Sequence, residues 1–145
     1  MLGLHRGRLF VILSSKFAMV ALAAAMTDPS ASSIEGRWTN PDHSVIIDIA
    51  PCGGALCGTV AWATAQAQQD SHKNAPHLIG TQLLTGLQDN GGTWEGKLFV
   101  PDRNLHVEAK IQSESAGQLK VSGCEIGICK SQLWARADGP LPPAQ

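Results

Sequence analysis

Residues 105–112 read LHVEAKIQ, and this stretch decides the fold class of the chain. Its apolar and polar residues alternate without a break, and a period of two places successive side chains on opposite faces of a β-strand. One face of this strand is therefore expected to lie in a core while the other faces water. The apolar set is Leu105, Val107, Ala109 and Ile111.

Weaker forms of the same pattern occur on both sides of this stretch. They predict seven further strands, near residues 36–40, 44–50, 56–62, 82–88, 93–99, 118–124 and 130–136. Most connections are of hairpin length and rich in Gly, Pro, Asn and Asp, and no segment has a sustained helical period. We therefore predict an all-β fold in which about eight antiparallel strands form a meander and close into a small barrel, with a flattened β-sandwich as the alternative.

The N-terminus has the layout of a secretory signal peptide. The basic residues Arg6, Arg8 and Lys16 precede an apolar run over residues 17–26. The small residues Ala23 and Ala25 suit a cleavage site after Ala25. The run is about half as long as a membrane-spanning helix requires. We predict a cleaved signal peptide over residues 1–25, a periplasmic location and no membrane span after cleavage. A later cleavage site within residues 30–33 and a buried N-terminal helix are the alternatives.

The rest of the chain suits one domain. We predict a flexible linker over residues 26–34, a β-barrel domain over 35–137 and a disordered tail over 138–145. Loss of the signal removes three of the 11 basic residues and none of the 12 acidic ones, which leaves a formal net charge of −4. Nucleic-acid binding depends on clustered Lys and Arg, so this balance excludes nucleic acid as a partner. The oligomeric state is not predicted.

Four cysteines form two pairs of matching spacing. Cys52 and Cys57 bracket one predicted turn, and Cys124 and Cys129 bracket another. An even number of cysteines in an exported chain indicates disulfides. Among the possible connectivities we favour the two local bridges, and a four-cysteine zinc site is the alternative.

The longest connection, over residues 63–81, contains the polar residues best suited to a binding site or its lid. They are Asp70, His72, Lys73, Asn74 and His77. A loop of this length in a compact domain is either functional or disordered. No nucleophile motif, phosphate-binding loop or zinc-protease motif is present, so we predict no catalytic residue, no cofactor and no metal, with the histidines as solvated surface residues.

Three function classes remain open. The first is a barrel that binds a small apolar or amphipathic ligand, because eight-stranded barrels can hold one such molecule. Its cavity would be lined by Val45, Ile47, Ile49, Val60, Val107, Ile111 and Val121, unless these side chains fill the barrel. The second is an envelope structural or protein-interaction module, indicated by Trp62, for which a core position is the alternative. The third is a metal-assisted hydrolase that uses Asp70, His72 and His77.

Short motifs spread along the chain resemble those of a known family. They are Gly36-Arg37-Trp38, Cys52-Gly53, Leu56-Cys57-Gly58, Trp94-Glu95-Gly96-Lys97, Pro101-Asp102, Leu119-Lys120-Val121 and Trp134-Ala135-Arg136. Together they look like family 2147 of the domains of unknown function, which consists of exported bacterial proteins without an agreed activity. Where that family often has a glycine and then an aromatic residue, this chain has Asn104 and Val107. Asparagine can still adopt the left-handed turn conformation.

The first of these motifs is also similar to the start of lipocalin-like barrels. In such barrels a Trp on the first strand closes one end beneath an Arg from the last strand. The resemblance implies a lipocalin-like barrel in which Trp38 and Arg136 form the barrel closure. If the first and last strands pair, the guanidinium should stack on the indole ring.

Overall fold

Eight strands and one short helix make up residues 33–145, the part of the chain that this computed structural model describes. In chain order they are β1 (Gly36–Thr39), β2 (Val45–Cys52), β3 (Ala55–Ala63), α1 (Ala65–Ser71), β4 (Gln82–Asn90), β5 (Thr93–Val100), β6 (Leu105–Ser115), β7 (Gln118–Glu125) and β8 (Ile128–Arg136). The predicted signal peptide over residues 1–25 and nearly all of the predicted linker lie outside the described residues.

The strands form a closed antiparallel barrel. Each strand pairs with the next along the chain, and β8 returns to pair with β1, where Trp38 lies opposite Arg136. The predicted all-β meander is therefore confirmed with all of its strands, and the closed hydrogen bonding excludes the flattened sandwich. Because consecutive strands run in opposite directions, the hairpin turns alternate between two ends of the barrel.

The alternation in β6 has the predicted orientation. Ala109 and Ile111 are buried in the core, whereas Glu108 and Lys110, which alternate with them, are exposed. The inward residues of both neighbouring strands lie beside those of β6, since Ile111 is opposite Trp94 of β5 and Val121 of β7. The quoted stretch therefore sets the inward face for three adjacent strands.

The connection between β3 and β4 is more ordered than a plain loop. It contains α1, whose first turn is capped by the Thr64 hydroxyl oxygen, which accepts a hydrogen bond from the Ala67 amide at 3.1 Å. The Asn74 side-chain amide donates to the Pro101 carbonyl at 2.7 Å and ties this connection to the β5–β6 turn. A seven-residue helix is too short to leave a periodic pattern in the sequence, so sequence reasoning missed it.

The cysteines occur in the two predicted local pairs. The Cα atoms of Cys52 and Cys57 are 5.8 Å apart, and those of Cys124 and Cys129 are 4.0 Å apart. The two disulfides lie at opposite ends of the barrel, next to the β2–β3 and β7–β8 turns. All four thiols are used in this way, which leaves no ligands for the alternative zinc site.

Three turns hold a non-glycine residue in the left-handed conformation, and His43, in the β1–β2 turn, is one of them with φ of 53°. Asn104, in the β5–β6 turn, has φ of 51°, the conformation considered for it from the sequence. Ile126, in the β7–β8 turn, has φ of 49°, and its side chain is 96% exposed. A β-branched residue is disfavoured at such a φ.

The segment predicted to be a disordered tail, residues 138–145, lies along the outside of the barrel. Three hydrogen bonds join it to the barrel and α1: Arg37 donates to the Gly139 carbonyl, Trp62 to the Pro143 carbonyl, and the Ala65 amide to the Gln145 side chain. It adds no strand to the sheet.

Candidate functional site

The two ends of the barrel differ, and the end formed by the start of β1 and the end of β8 is sealed. We call it the closed end. Trp38 is 1% exposed, and its indole nitrogen donates to the Ile34 carbonyl at 2.9 Å. The Arg136 guanidinium lies over the Trp38 ring, 4.0 Å from its centroid, and donates to the Glu35 carbonyl at 2.9 Å.

Gly36 makes this arrangement possible. Its φ of +116° is accessible to glycine but strained for other residues, and a Cβ atom at this position would collide with the Arg136 guanidinium. The Gly-x-Trp spacing therefore places the indole inside the barrel and leaves room for the cation above it.

The opposite end, which we call the open end, contains a cavity of about 1000 Å³. Of the residues predicted to line it, Val45, Ile47, Val107 and Val121 do so. The remaining three, Ile49, Val60 and Ile111, are fully buried in the core and do not line the cavity. The barrel is thus packed solid in one half and hollow in the other.

The hollow half arises because β7 and β8 carry small or polar residues at inward positions. Gly123 lies opposite Lys130, and Val121 lies opposite Gln132. A Cβ atom at Gly123 would lie 3.2 Å from the side chains of Leu98 and Val107, so a glycine here leaves space that a larger side chain would fill. Toward the closed end the paired residues become large, with Leu119 opposite Trp134.

The β3–β4 connection covers part of the open end, but only some of its predicted residues reach the cavity. Asp70 lines it together with Gln66, Ala67, Ser71 and Leu78. Asn74 instead anchors the connection to Pro101. His72, Lys73 and His77 are exposed and are not among the lining residues.

Polar and charged side chains form a rim around the apolar cavity. The rim residues with charge are Asp42, Asp70, Asp102, Arg103, Glu125 and Lys130. Arg103 and Asp102 approach each other to 4.0 Å. Deeper in, the Trp134 indole donates to the Gln132 side-chain oxygen at 3.3 Å. The site therefore has apolar walls and a charged mouth of mixed sign.

Lys130, Gln132 and Trp134 are site residues that sequence reasoning missed. They alternate with outward residues along β8. Their partners on β7 are Gly123, Val121 and Leu119, so this side of β8 faces the inside of the barrel. Part of the signal was present, because Val121 was predicted to line the cavity and Lys130, Gln132 and Trp134 alternate along the strand predicted near 130–136. To assign the inward side of β8, the register of β7 with β8 must be known, and the residue types of β8 alone do not determine it.

The described residues contain no group of three or more His, Cys, Asp or Glu side chains placed to hold a metal ion. Asp70, His72 and His77 are close in sequence but do not form such a group. Within the described part of the chain, no helix is long and apolar enough to cross a membrane.

Comparisons with known proteins identify the family of this chain. No curated protein and no solved structure matches this chain. A family model described as "Uncharacterized protein conserved in bacteria (DUF2147)" matches residues 36–136. These residues run from the first residue of β1 to the last residue of β8, and so include every strand of the barrel. The chain therefore belongs to the bacterial family DUF2147.

Proposed function

We propose that this protein binds one small apolar or amphipathic molecule in the cavity at the open end. The observation that carries the proposal is the half-filled barrel: a cavity of about 1000 Å³ has a charged rim and apolar walls from six strands, β2 and β4 to β8. Pockets that take small ligands are about 300–1,000 Å³ and mainly apolar, with a few polar groups that fix orientation. The volume and the lining both fit that description.

The arrangement of polar groups favours an amphipathic ligand. An apolar chain would pack against Ile47, Leu84 and Val121, and its own removal from water would supply the main free energy of binding. A polar head would lie among the rim charges, where Lys130 and the acidic side chains offer both hydrogen-bond donors and acceptors. The ligand would thus enter with its polar end outward.

Fluorescence titration with a dansyl-labelled fatty acid tests the proposal. The unmodified protein should give saturable enhancement, and native mass spectrometry of purified protein should detect a co-purifying small molecule. Val107→Phe extends a ring into the cavity and should weaken probe binding about tenfold or more, because a filled pocket has no low-cost way to expand.

The matched control is His106→Phe, which introduces the same residue one position earlier in β6. His106 is exposed and stacks on Phe99 with a centroid distance of 4.5 Å, so a phenyl ring fits there without entering the cavity. This variant should bind the probe like the unmodified protein. No probe uptake and no extra mass, or equal binding by both variants, would contradict the proposal.

We further propose that the protein works in the periplasm after cleavage of a signal peptide behind Ala25. Two disulfides within one small domain support this, because such bonds persist in oxidising compartments. Expression in a bacterial host should yield periplasmic protein whose N-terminus follows Ala25 or lies within the next few residues. Recovery of protein that begins at Met1 in the cytoplasmic fraction would refute the proposal.

A further inference from the structure

Three buried side chains form a patch on the outside of the barrel. Thr39, Ile46 and Trp62 lie side by side across β1, β2 and β3, since Thr39 is opposite Ile46 and Ile46 is opposite Trp62. We call them the outer patch. Their neighbours in the ladder, Trp38 and Ile47, point into the core, so the outer patch must point away from it.

A bulge in β3 places Trp62 on this face. Val60 lies opposite Ile47 and is a core residue, whereas Trp62 lies opposite Ile46, which leaves Ala61 as one extra residue on β3. The extra residue reverses the alternation, so Trp62 points outward instead of inward. Trp62 and Ile46 do not belong to the core cluster, yet they are only 7% and 8% exposed.

The C-terminal tail, residues 138–145, covers the outer patch. Its Gly139 carbonyl accepts a hydrogen bond from Arg37 at 3.0 Å, and its Pro143 carbonyl accepts one from the Trp62 indole nitrogen at 3.1 Å. Since Arg37 is on β1 and Trp62 is on β3, the tail crosses β2 between them, where Ile46 lies. The buried state of an outward Trp and an outward Ile is thereby explained.

The chemistry of these contacts describes the kind of segment that the outer patch accepts. Residues 139–143 read GPLPP, and three prolines within five residues favour an extended conformation without internal hydrogen bonds. The barrel binds this segment in two ways. The side chains of Arg37 and Trp62 donate hydrogen bonds to two of its backbone carbonyls, and the outer patch offers an apolar surface that includes an indole. Aromatic surfaces with a donor are the usual recognition elements for extended proline-rich segments.

The tail is held as a bound segment and not as part of the barrel. Its residues are exposed, it pairs with no strand, and the residues matched by the family model end at Arg136, before it begins. We propose that the outer patch is a docking site for an extended proline-rich segment of a partner protein, and that the tail is its displaceable cover. This inference is independent of ligand binding at the open end.

A labelled peptide with the sequence of residues 137–145 serves as the probe, and all variants are made in the full chain. Leu141→Asp places a charge on the one large apolar side chain of the tail, which is 38% exposed, and should release the tail from the outer patch. A tethered tail acts at about 1 mM, so a peptide with a Kd of about 100 µM for the uncovered patch should bind the Leu141→Asp protein about tenfold more tightly than the unmodified protein.

Leu133→Asp is the matched control, because Leu133 is also an exposed leucine but lies on β8, outside the tail. It should leave peptide affinity at the unmodified level. Adding Trp62→Phe to the Leu141→Asp protein keeps an aromatic ring and removes the indole donor, which should weaken peptide binding about fivefold, the equivalent of one hydrogen bond.

Hydrogen exchange of the indole proton of Trp62 gives a second readout that needs no peptide. It should be slow in the unmodified protein, faster in Leu141→Asp, and slow again when the peptide is added. Absence of peptide binding to the Leu141→Asp protein, or binding that Trp62→Phe leaves unchanged, would overturn the proposal. Concentration-dependent dimers of the unmodified protein that Leu141→Asp abolishes would also overturn it, in favour of tail exchange between two copies.

Discussion

Replacing Trp38 and Arg136, singly and together, measures how firmly the barrel is closed. Trp38→Leu leaves the closed end underfilled and should destabilise the fold by about 2 kcal/mol, since the indole is 1% exposed. Arg136→Met keeps an apolar stem but loses the cation over the ring and the bond to the Glu35 carbonyl, which together should cost about 1–2 kcal/mol.

The informative quantity is the coupling between the two changes. A guanidinium 4.0 Å from an indole centroid in a half-buried position contributes about 1 kcal/mol, so the double variant should be more stable than the sum of the single losses predicts by about that amount. Urea unfolding followed by circular dichroism gives the three free energies. The control cycle combines Trp38→Leu with Arg103→Met, an Arg at the open end, and should be additive. Additivity in the Trp38–Arg136 cycle as well would refute the closure argument.

Three further changes test other parts of the structure. Gly36→Ala should lower stability by about 1–3 kcal/mol in thermal unfolding, because a left-handed φ is strained for alanine and the Cβ would meet Arg136; an unchanged melting temperature would contradict this. Ile126→Asn should raise stability by about 1 kcal/mol, since the exposed isoleucine loses no burial while asparagine suits its left-handed φ; a loss of stability would show that this side chain has a partner. Replacing both Cys124 and Cys129 by serine should cost about 2 kcal/mol in urea unfolding, and equal stability of the two proteins would mean that the bridge does not constrain the unfolded chain.

The strands could be predicted because their signal is local. In β6 one face packs in the core and the other is exposed to water, so apolar and polar residue types alternate with a period of two. The closure of the barrel followed from the number of strands and from the resemblance at Trp38 and Arg136. These features need no knowledge of which residue lies opposite which.

The limits of sequence reasoning appear where register decides the outcome. Trp62 follows Leu56 and Val60 at even spacing and looks like the next core residue, but the extra residue at Ala61 turns it outward. A single inserted residue leaves no trace in composition, so the outward position of Trp62 could not be predicted from the residue types of β3. The same holds for the cavity, because Val107 and Ile111 have the same alternation and only their distance from the open end separates lining from core.

The pairing of β1 with β8 also has a consequence for the order of folding. Every other strand pair joins neighbours along the chain, and all of these except β3–β4 are hairpins that can form early with little loss of loop entropy. The β1–β8 pair joins Trp38 to Arg136 and must wait until the intervening strands are in place. We expect a late folding step in which the edges of β1 and β8 are still unpaired, and at this step the chain is most exposed to aggregation through those edges.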